Sequence, residues 1–208
     1  MKIIVTSGPT RSYLDEIRYI SNYSTGKLGS LIARKAALKG HKVIQLYGKG
    51  SVFAAGKNIK NIEIETVAEL LAALKRELKG GAEAVVHAMA VLDYVAPKKI
   101  GGKVKSNKKS WTVKLVRSPK IINEIKKIAP KTKLVGFKLE CKAGKAGLLK
   151  AAQELLKKSR AEYVVANDFK SVKAKKHTAM IIGKSGFIKG NIAGKERIAG
   201  EIVNLLTR

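Results

Sequence analysis

Short apolar runs recur along the chain at intervals that suit the strands of a layered fold. They lie at Lys2–Thr6, Lys42–Tyr47, Glu83–Met89, Lys133–Phe137 and Tyr163–Ala166. Runs of this length with many β-branched residues are typical of strands. Glu83–Met89 is apolar over most of its length, as is expected of a strand that is covered on both faces.

Between these runs, apolar residues recur at helical spacing. The stripes are Leu28, Leu31, Ile32 and Ala36; Val67, Leu70, Leu71, Leu74 and Leu78; Leu148, Leu149, Ala152, Leu155 and Leu156; and Ile198, Ile202 and Leu205. The first helix is expected to end at Gly40. Alternating strands and helices predict an α/β fold, a three-layer Rossmann-like and mostly parallel sheet with helices on both faces.

One interruption of this rhythm covers residues 91–118. It contains Gly101-Gly102, a lysine-rich stretch and an alternating run at Trp111–Val116. The alternating run predicts a strand. We interpret residues 98–110 as a flap.

A second interruption covers residues 177–189. Thr178–Ile182 and Phe187–Lys189 flank Ser185-Gly186, a pattern that predicts a C-terminal hairpin. The chain has no internal repeat and no long linker, so residues 1–208 are expected to form a single domain.

The charge of the chain is strongly biased, with 43 Lys and Arg against 15 Asp and Glu and a net charge of +28. Such a chain attracts anions. Only 5% of residues are aromatic, and base stacking needs rings, so specific nucleic-acid recognition is not expected. The sequence has no apolar run long enough to cross a membrane.

The single cysteine, Cys141, excludes an intrachain disulfide and suits a reducing, cytoplasmic setting. We interpret it as a half-buried structural thiol. Asp15, Asp93 and Asp168 are the aspartates of the chain, and each follows or precedes an apolar run. They are expected either to cap local structure or to belong to a functional site.

In a parallel α/β sheet, ligands bind where the strands end. The polar and glycine-bearing segments of the chain follow predicted strands, at Ser7–Arg11, Met89–Pro97, Phe137–Glu140 and Asn167-Asp168. Their convergence on one edge of the sheet predicts a small-molecule site.

The segment before the first long helix carries hydroxyls and a glycine, including Ser24 and Gly26. Backbone N–H groups at such a helix start favour an anion, although simple capping by Ser24 or Thr25 is the alternative. Gly26-Lys27 lacks the upstream glycine and the following Ser or Thr of a Walker A loop, and Gly8 alone is no dinucleotide fingerprint.

Several motifs together resemble the phosphopantothenate–cysteine ligase family, in its bacterial form without a fused decarboxylase. In chain order they are Ser7-Gly8-Pro9-Thr10-Arg11, Ile20–Lys27, His87–Tyr94, Lys103-Val104-Lys105-Ser106, Ser118–Ile122, Val135–Leu139 and Val165-Ala166-Asn167-Asp168. The resemblance extends from residue 3 to about residue 206. Gly8-Pro9-Thr10 stands where the family more often has a double glycine.

The resemblance implies a two-step amide synthesis in coenzyme A biosynthesis. The carboxylate of 4′-phosphopantothenate attacks the α-phosphorus of a nucleoside triphosphate, with CTP favoured over ATP, and pyrophosphate leaves. The amine of L-cysteine then displaces the nucleotide from the acyl nucleotidylate. Mg²⁺ is expected to arrive with the triphosphate and not to occupy a protein metal site.

The resemblance also implies roles for individual residues. Asn22 handles the acyl nucleotidylate, Arg18 serves the second half-reaction and Lys103 is the flap lysine that meets the triphosphate. The candidate nucleotide contacts are Gly8, Ser24, Gly26, Asp93, Lys103, Pro119, Lys120, Ile121, Ile122, Phe137 and Lys158. One turn before Lys158, Glu154 stands where the family often has a second lysine.

The family is dimeric, so a homodimer is expected. Two other functions stay open. A nicotinamide-dependent reductase would need a full glycine fingerprint and an acidic residue after the second strand, where Gln45-Leu46-Tyr47 stands instead. The third reading is a basic polyanion-binding module without catalysis.

Overall fold

A computed structural model describes residues 1–173 and 177–207. The strands are β1 (Lys2–Ser7), β2 (Arg11–Tyr13), β3 (Tyr19–Ser21), β4 (Lys42–Gly48), β5 (Ile59–Ile64), β6 (Ala84–His87), β7 (Tyr94–Val95), β8 (Val116–Arg117), β9 (Lys133–Glu140), β10 (Tyr163–Asp168), β11 (Thr178–Gly183) and β12 (Gly186–Ala193). The helices are α1 (Lys27–Leu38), α2 (Val67–Lys79), α3 (Ile121–Ile128), α4 (Gly144–Ser159), α5 (Phe169–Lys173) and α6 (Lys195–Leu206).

The main strands form an eight-stranded sheet in the order β12-β11-β10-β9-β6-β1-β4-β5. From β5 across to β10 all neighbours are parallel, and β11 and β12 are antiparallel at the far edge. The chain therefore adds strands to one side of β1 and then to the other. This arrangement confirms the predicted α/β fold and the predicted C-terminal hairpin.

Helices cover both faces of the sheet, because successive residues of its central strands point to opposite sides. Ile3 and Val5 belong to a core shared with α1 and α6, and Ile4 belongs to a core shared with α2, α3 and α4. All of these strand residues are fully buried, which explains the unbroken apolar run of β1. The structure thus has the three layers that the sequence predicts.

Local signals set the helix ends. The hydroxyl of the N-cap residue Thr66 accepts the N–H of Glu69, and the Glu69 carboxylate accepts the N–H of Glu65, one residue before the N-cap, an arrangement close to a capping box. Gly40 follows α1 with a φ of +82°, the left-handed conformation that ends a helix.

Three features differ from the sequence prediction. Trp111–Val116 was predicted to be a strand, but only Val116 lies in one, the short β8. Helix α3 was not predicted because its 8 residues are too few to show a clear stripe. The sequence indicates only that Asn61–Val67 leads into α2; β5 begins earlier, at Ile59, and alternates with polar residues at Lys60, Asn61 and Glu63.

Candidate functional site

The carboxyl edge of the sheet, where the parallel strands end, joins the loops that follow β1 and β6. Ala90 N donates to Gly8 O over 2.8 Å, and Thr10 N donates to Ala90 O over 3.3 Å. Pro9 and Ala90 form a parallel bridge that continues this pairing beyond the strands. Strand order reverses at β1, so these loops lie at the topological switch point where open α/β sheets bind ligands.

Gly8 and Gly26 shape this edge through close approach to the loop after β4. Their φ angles are +76° and +75°. A Cβ on Gly8 would lie 2.3 Å from Ser51 Oγ, and one on Gly26 would lie 2.9 Å from Val52 O. Both the backbone conformation and the space therefore require glycine.

The amino end of α1 opens at the same edge. Gly26 is its N-cap residue and has no side chain to cap the first turn. Thr25 Oγ1 makes only a long contact of 3.5 Å with Lys27 N, so the N–H groups that follow stay able to bind an anion. Lys27 is exposed beside them, and Ser24 is half-buried in the loop that leads into the helix. The structure thus places Gly8, Ser24 and Gly26 together, as the sequence predicts.

Asn22 connects the loop before α1 with the loop after β6. Its Nδ2 donates to Val91 O over 3.1 Å and approaches Ala90 O at 3.5 Å, while the residue as a whole remains exposed. The amide is thereby held at the switch point in reach of a ligand.

His87 was not proposed as a site residue, but it lies buried at the carboxyl edge, beneath the loops that follow β1 and β6. It ends β6, and its Nδ1 shares a hydrogen bond of 2.9 Å with Thr6 Oγ1; the same oxygen accepts the N–H of Met89 over 3.2 Å. Burial, with a smaller contribution from Lys120, lowers the pKa of His87 to about 4. His87 is therefore neutral near pH 7. The sequence signal that could have identified His87 is its position as a histidine inside an apolar strand.

Asp93 and the start of α3 form the next part of the edge. Lys120 Nζ donates to Asp93 Oδ1 over 2.7 Å, and Ser118 N donates to Asp93 O over 2.9 Å. Pro119 and Lys120 are exposed. Asp93 thus meets a cation of its own chain and positions the helix start.

Ile121 and Ile122 begin α3, but their side chains are 1% and 5% exposed and belong to the core. A Cβ on Gly136 would lie 2.7 Å from Ile122 Cδ1, so this side chain fills the space that Gly136 leaves. The predicted nucleotide contacts at these positions are therefore limited to backbone groups.

Phe137 lies half-buried in β9, directly after Gly136, which pairs with His87 at the end of β6. Its ring packs against the core shared with α1 and α6. It therefore lies near the carboxyl edge and also contributes to packing.

Arg18 and Lys103 come together at the flap. Arg18 Nη2 lies 2.6 Å from Asp15 Oδ2 and also donates to Val104 O over 2.6 Å. Lys103, which precedes Val104, is exposed. Arg18 is thus held by protein groups, and Lys103 stays free to meet an anion.

Lys158 lies away from these residues. Helix α4 begins after the carboxyl end of β9 and runs back to the start of β10, so its last turn is at the opposite edge of the sheet. There Lys158 Nζ approaches Glu154 Oε2 at 3.9 Å, and both side chains are exposed. The fold of one chain does not bring Lys158 to the site.

Three further observations bear on the chemistry. Cys141 is exposed, so the interpretation as a half-buried thiol was wrong; it follows β9 in a turn outside the core.

Within residues 1–173 and 177–207, His, Cys, Asp and Glu form no group of three or more that could hold a metal ion. No helix of the described chain has the length and apolarity needed to cross a membrane.

The fold and the site define a Rossmann-like α/β domain with an uncapped helix amino end beside its switch point. A family model described as the DNA/pantothenate metabolism flavoprotein C-terminal domain matches residues 1–208. The chain belongs to this family.

Individual relatives agree with this family. The chain is 38% identical over 184 residues to the coenzyme A biosynthesis bifunctional protein CoaBC of Thermococcus kodakarensis, covering 88% of the chain and 45% of the relative. The chain spans about half the length of the curated relatives it matches.

Solved structures show the same fold. The DNA/pantothenate metabolism flavoprotein of Streptococcus pneumoniae superposes with a TM-score of 0.91 at 28% identity, covering 100% of this chain and 98% of that one. A Cab2 mutant in complex with phosphopantothenate-cysteine has a TM-score of 0.79 at 18% identity, covering 99% and 86%. At that identity the likeness concerns the fold alone.

Proposed function

We propose that this chain joins 4′-phosphopantothenate to L-cysteine at the expense of a nucleoside triphosphate, with CTP favoured over ATP. The observation that carries the proposal is the placement of Asn22 at the switch point, hydrogen-bonded to Val91 O and next to the open amino end of α1. Membership of the family and the CoaBC relatives support a role in coenzyme A biosynthesis. The phosphopantothenate-cysteine bound to Cab2 suggests the substrate class.

The first step transfers the nucleotidyl group. The pantothenate carboxylate attacks the α-phosphorus, an acyl-phosphate bond forms, and the bond to pyrophosphate breaks. The N–H groups at the start of α1, together with Lys103, supply positive potential for the phosphates, whereas the charge of Lys120 is balanced by Asp93. Mg²⁺ would arrive with the triphosphate as part of the substrate and would be held by phosphate oxygens and water, since the Asp93 carboxylate is paired with Lys120.

The second step forms the amide. The cysteine amine attacks the acyl carbon, the nucleoside monophosphate leaves and a proton is released. The amide N–H₂ of Asn22 is the donor in position to stabilise the negative charge that develops on the acyl oxygen. His87 lies below this point with a pKa of about 4, so it stays neutral and adds no charge to the site.

Dimer formation is part of the proposal. The two-stranded sheets β2-β3 and β7-β8 stand outside the main sheet. Large exposed side chains lie on or beside them, namely Ile17, Tyr19, Tyr23, Tyr94 and Val116. An apolar surface of this kind fits a twofold contact with a second copy, which salt should strengthen because each chain carries +28.

The test separates the two half-reactions. Purified protein receives phosphopantothenate and Mg²⁺ with CTP or ATP, without cysteine, and pyrophosphate release is measured. Cysteine is then added, and the amide product is quantified by mass spectrometry. Release of pyrophosphate that depends on phosphopantothenate supports the proposal. Hydride transfer with a nicotinamide cofactor, or binding of polyanions with no turnover, would overturn it.

A further inference from the structure

Asp15 is fully buried, and its carboxylate oxygens serve different parts of the chain. Oδ1 accepts the N–H of Ile17 over 2.9 Å and of Arg18 over 2.7 Å, which closes the turn between β2 and β3. Oδ2 accepts Arg18 Nε over 2.9 Å and Val104 N over 3.1 Å. One oxygen therefore holds its own turn, and the other reaches the flap 89 residues away in sequence.

Arg18 completes the link. Its guanidinium binds Asp15 Oδ2 and donates to Val104 O, so both backbone polar groups of Val104 are held. The same guanidinium lies 4.7 Å from the ring centroid of Trp111, which directly follows the flap, within the range of a cation–π contact.

The backbone of the flap follows the same turn. Ile100 N donates to Leu14 O over 2.9 Å, and Glu16 N donates to Gly102 O over 3.3 Å. Lys103 lies between Gly102 and Val104, and both of these neighbours are anchored. Its position is thus set by the turn between β2 and β3, although its own side chain is exposed.

We infer that Asp15 is a positioning residue that, through Arg18 and the backbone of Val104, latches the flap and holds Lys103 where it meets the triphosphate. Arg18 acts in this assignment through the flap and not by touching the substrate. The role of Lys103 rests on the function proposed above, whereas the latch itself rests on the contacts alone.

The charge state of the carboxylate agrees with this assignment. Burial alone would raise the pKa of Asp15, but the N–H groups of Arg18, Ile17 and Val104, with the Arg18 guanidinium, outweigh it and hold the pKa below its usual range. The carboxylate therefore stays ionised and accepts hydrogen bonds only.

Asp15→Asn isolates the latch. The amide oxygen can keep the turn bonds of Oδ1, while an N–H₂ group replaces Oδ2 and faces the donors of Arg18 and Val104. The matched control is Glu162→Gln, which removes a charge from a carboxylate that accepts Leu134 N over 2.6 Å at the opposite edge.

Trp111 is the only tryptophan of the chain, so its fluorescence reports on the flap without substrate. We expect Asp15→Asn to shift this emission to longer wavelength and to speed trypsin cleavage at Lys103–Lys109 about 10-fold, because the flap opens locally. The KM for the triphosphate should rise about 10-fold, with a smaller change in kcat. Glu162→Gln should lower Tm but leave emission and cleavage unchanged.

Wild-type emission and cleavage in folded Asp15→Asn would overturn the latch. If that variant does not fold, Arg18→Lys replaces it. Lysine keeps a charge near Asp15, but it cannot bridge Val104 and Trp111 as a planar guanidinium does. Trp111 emission and trypsin cleavage then decide in the same way. Absence of ligase activity in the wild-type protein would overturn the proposed function, and the substrate-free readouts would still decide the latch.

Discussion

Asp15 and Glu162 are similar carboxylates in different settings. Glu162 accepts Leu134 N and pairs with Lys126 over 2.7 Å and Lys184 over 3.2 Å. Although burial alone would raise the pKa of each carboxyl, the donors around it outweigh that effect and lower it. Glu162 ties together strands and a helix that packing already holds, whereas Asp15 holds a flap with hardly any strand of its own. An ionised carboxylate with several donors therefore stabilises the sheet at Glu162, whereas at Asp15 it sets the position of the flap.

The largest effect is expected at the carboxyl edge, from the substitution Asn22→Asp. It tests whether this edge serves the reaction, as the comparison with the opposite edge implies. The donor that faces the acyl intermediate becomes an anion, so amide formation should fall on the order of 100-fold or more. Pyrophosphate release should stay close to that of the wild type, and Tm should fall by no more than the loss of one exposed hydrogen bond, the one to Val91 O. Rapid quench with labelled nucleotide measures both steps, and normal product formation would remove Asn22 from the mechanism.

Acid distinguishes His87 from both carboxylates. The unfolded chain takes up a proton near pH 6.5, whereas folded His87 does so only near pH 4. Stability should therefore fall by about 3 kcal/mol as pH decreases across this window. The carboxylates, with lowered pKa values, should cost stability only below their ordinary pKa, as pH falls towards their folded values.

The measurement is urea unfolding from pH 7 to pH 4 for the wild type and His87→Gln. Burial also lowers the pKa values of His41 and His177, so the difference between the two proteins is the relevant quantity. Parallel curves for both proteins would show that His87 is not the source.

Glu162→Gln should destabilise the opposite edge by about 2 kcal/mol. Lys126 is 5% exposed and would lose its ionised partner, while Leu134 N would keep a weaker acceptor. The exposed partner Lys184 adds little. Chemical denaturation gives the change, and steady-state rates should be unaffected. A loss of activity without a loss of stability would break the distinction between the two edges.

The smallest effect is expected at Lys158. Its contact with Glu154 at 3.9 Å is exposed and contributes about 0–1 kcal/mol. Because Lys158 also lies at the opposite edge of the sheet, Lys158→Gln should leave the KM for the triphosphate unchanged. Lys103→Gln, the same substitution in the flap, should raise this KM. An equal effect of both substitutions would indicate that a partner subunit brings Lys158 to the site.

The sequence predicted the layers of the fold well because burial imposes strong periodicity on its long elements. It was less informative where contacts are distant. Asp15 stood out among so many lysines, but nothing local indicates that it meets Val104. Trp111–Val116 alternates like a strand and yet pairs through Val116 alone, and its first residue, Trp111, lies against Arg18 and not against a neighbouring strand.

The candidate residues divide in the same way. Gly8, Ser24 and Gly26 follow one strand and precede one helix, so local pattern was enough to bring them together. Ile122 belongs to a nucleotide motif by resemblance, but its side chain fills the space beside Gly136 in the core. Lys158 lies in the last turn of α4, at the edge of the sheet opposite to Asn22, and a motif match does not reveal this position.

The order of strands also bears on how the protein is made. β1 pairs with β4 and, across some 80 residues of chain, with β6, as in Ile3 with Ala84. The switch point needs both partners, so a growing chain emerging from the ribosome passes through a long interval in which β1 has one exposed side. Such distant pairing slows folding. We expect this unfinished edge to be the surface that chaperones bind during synthesis.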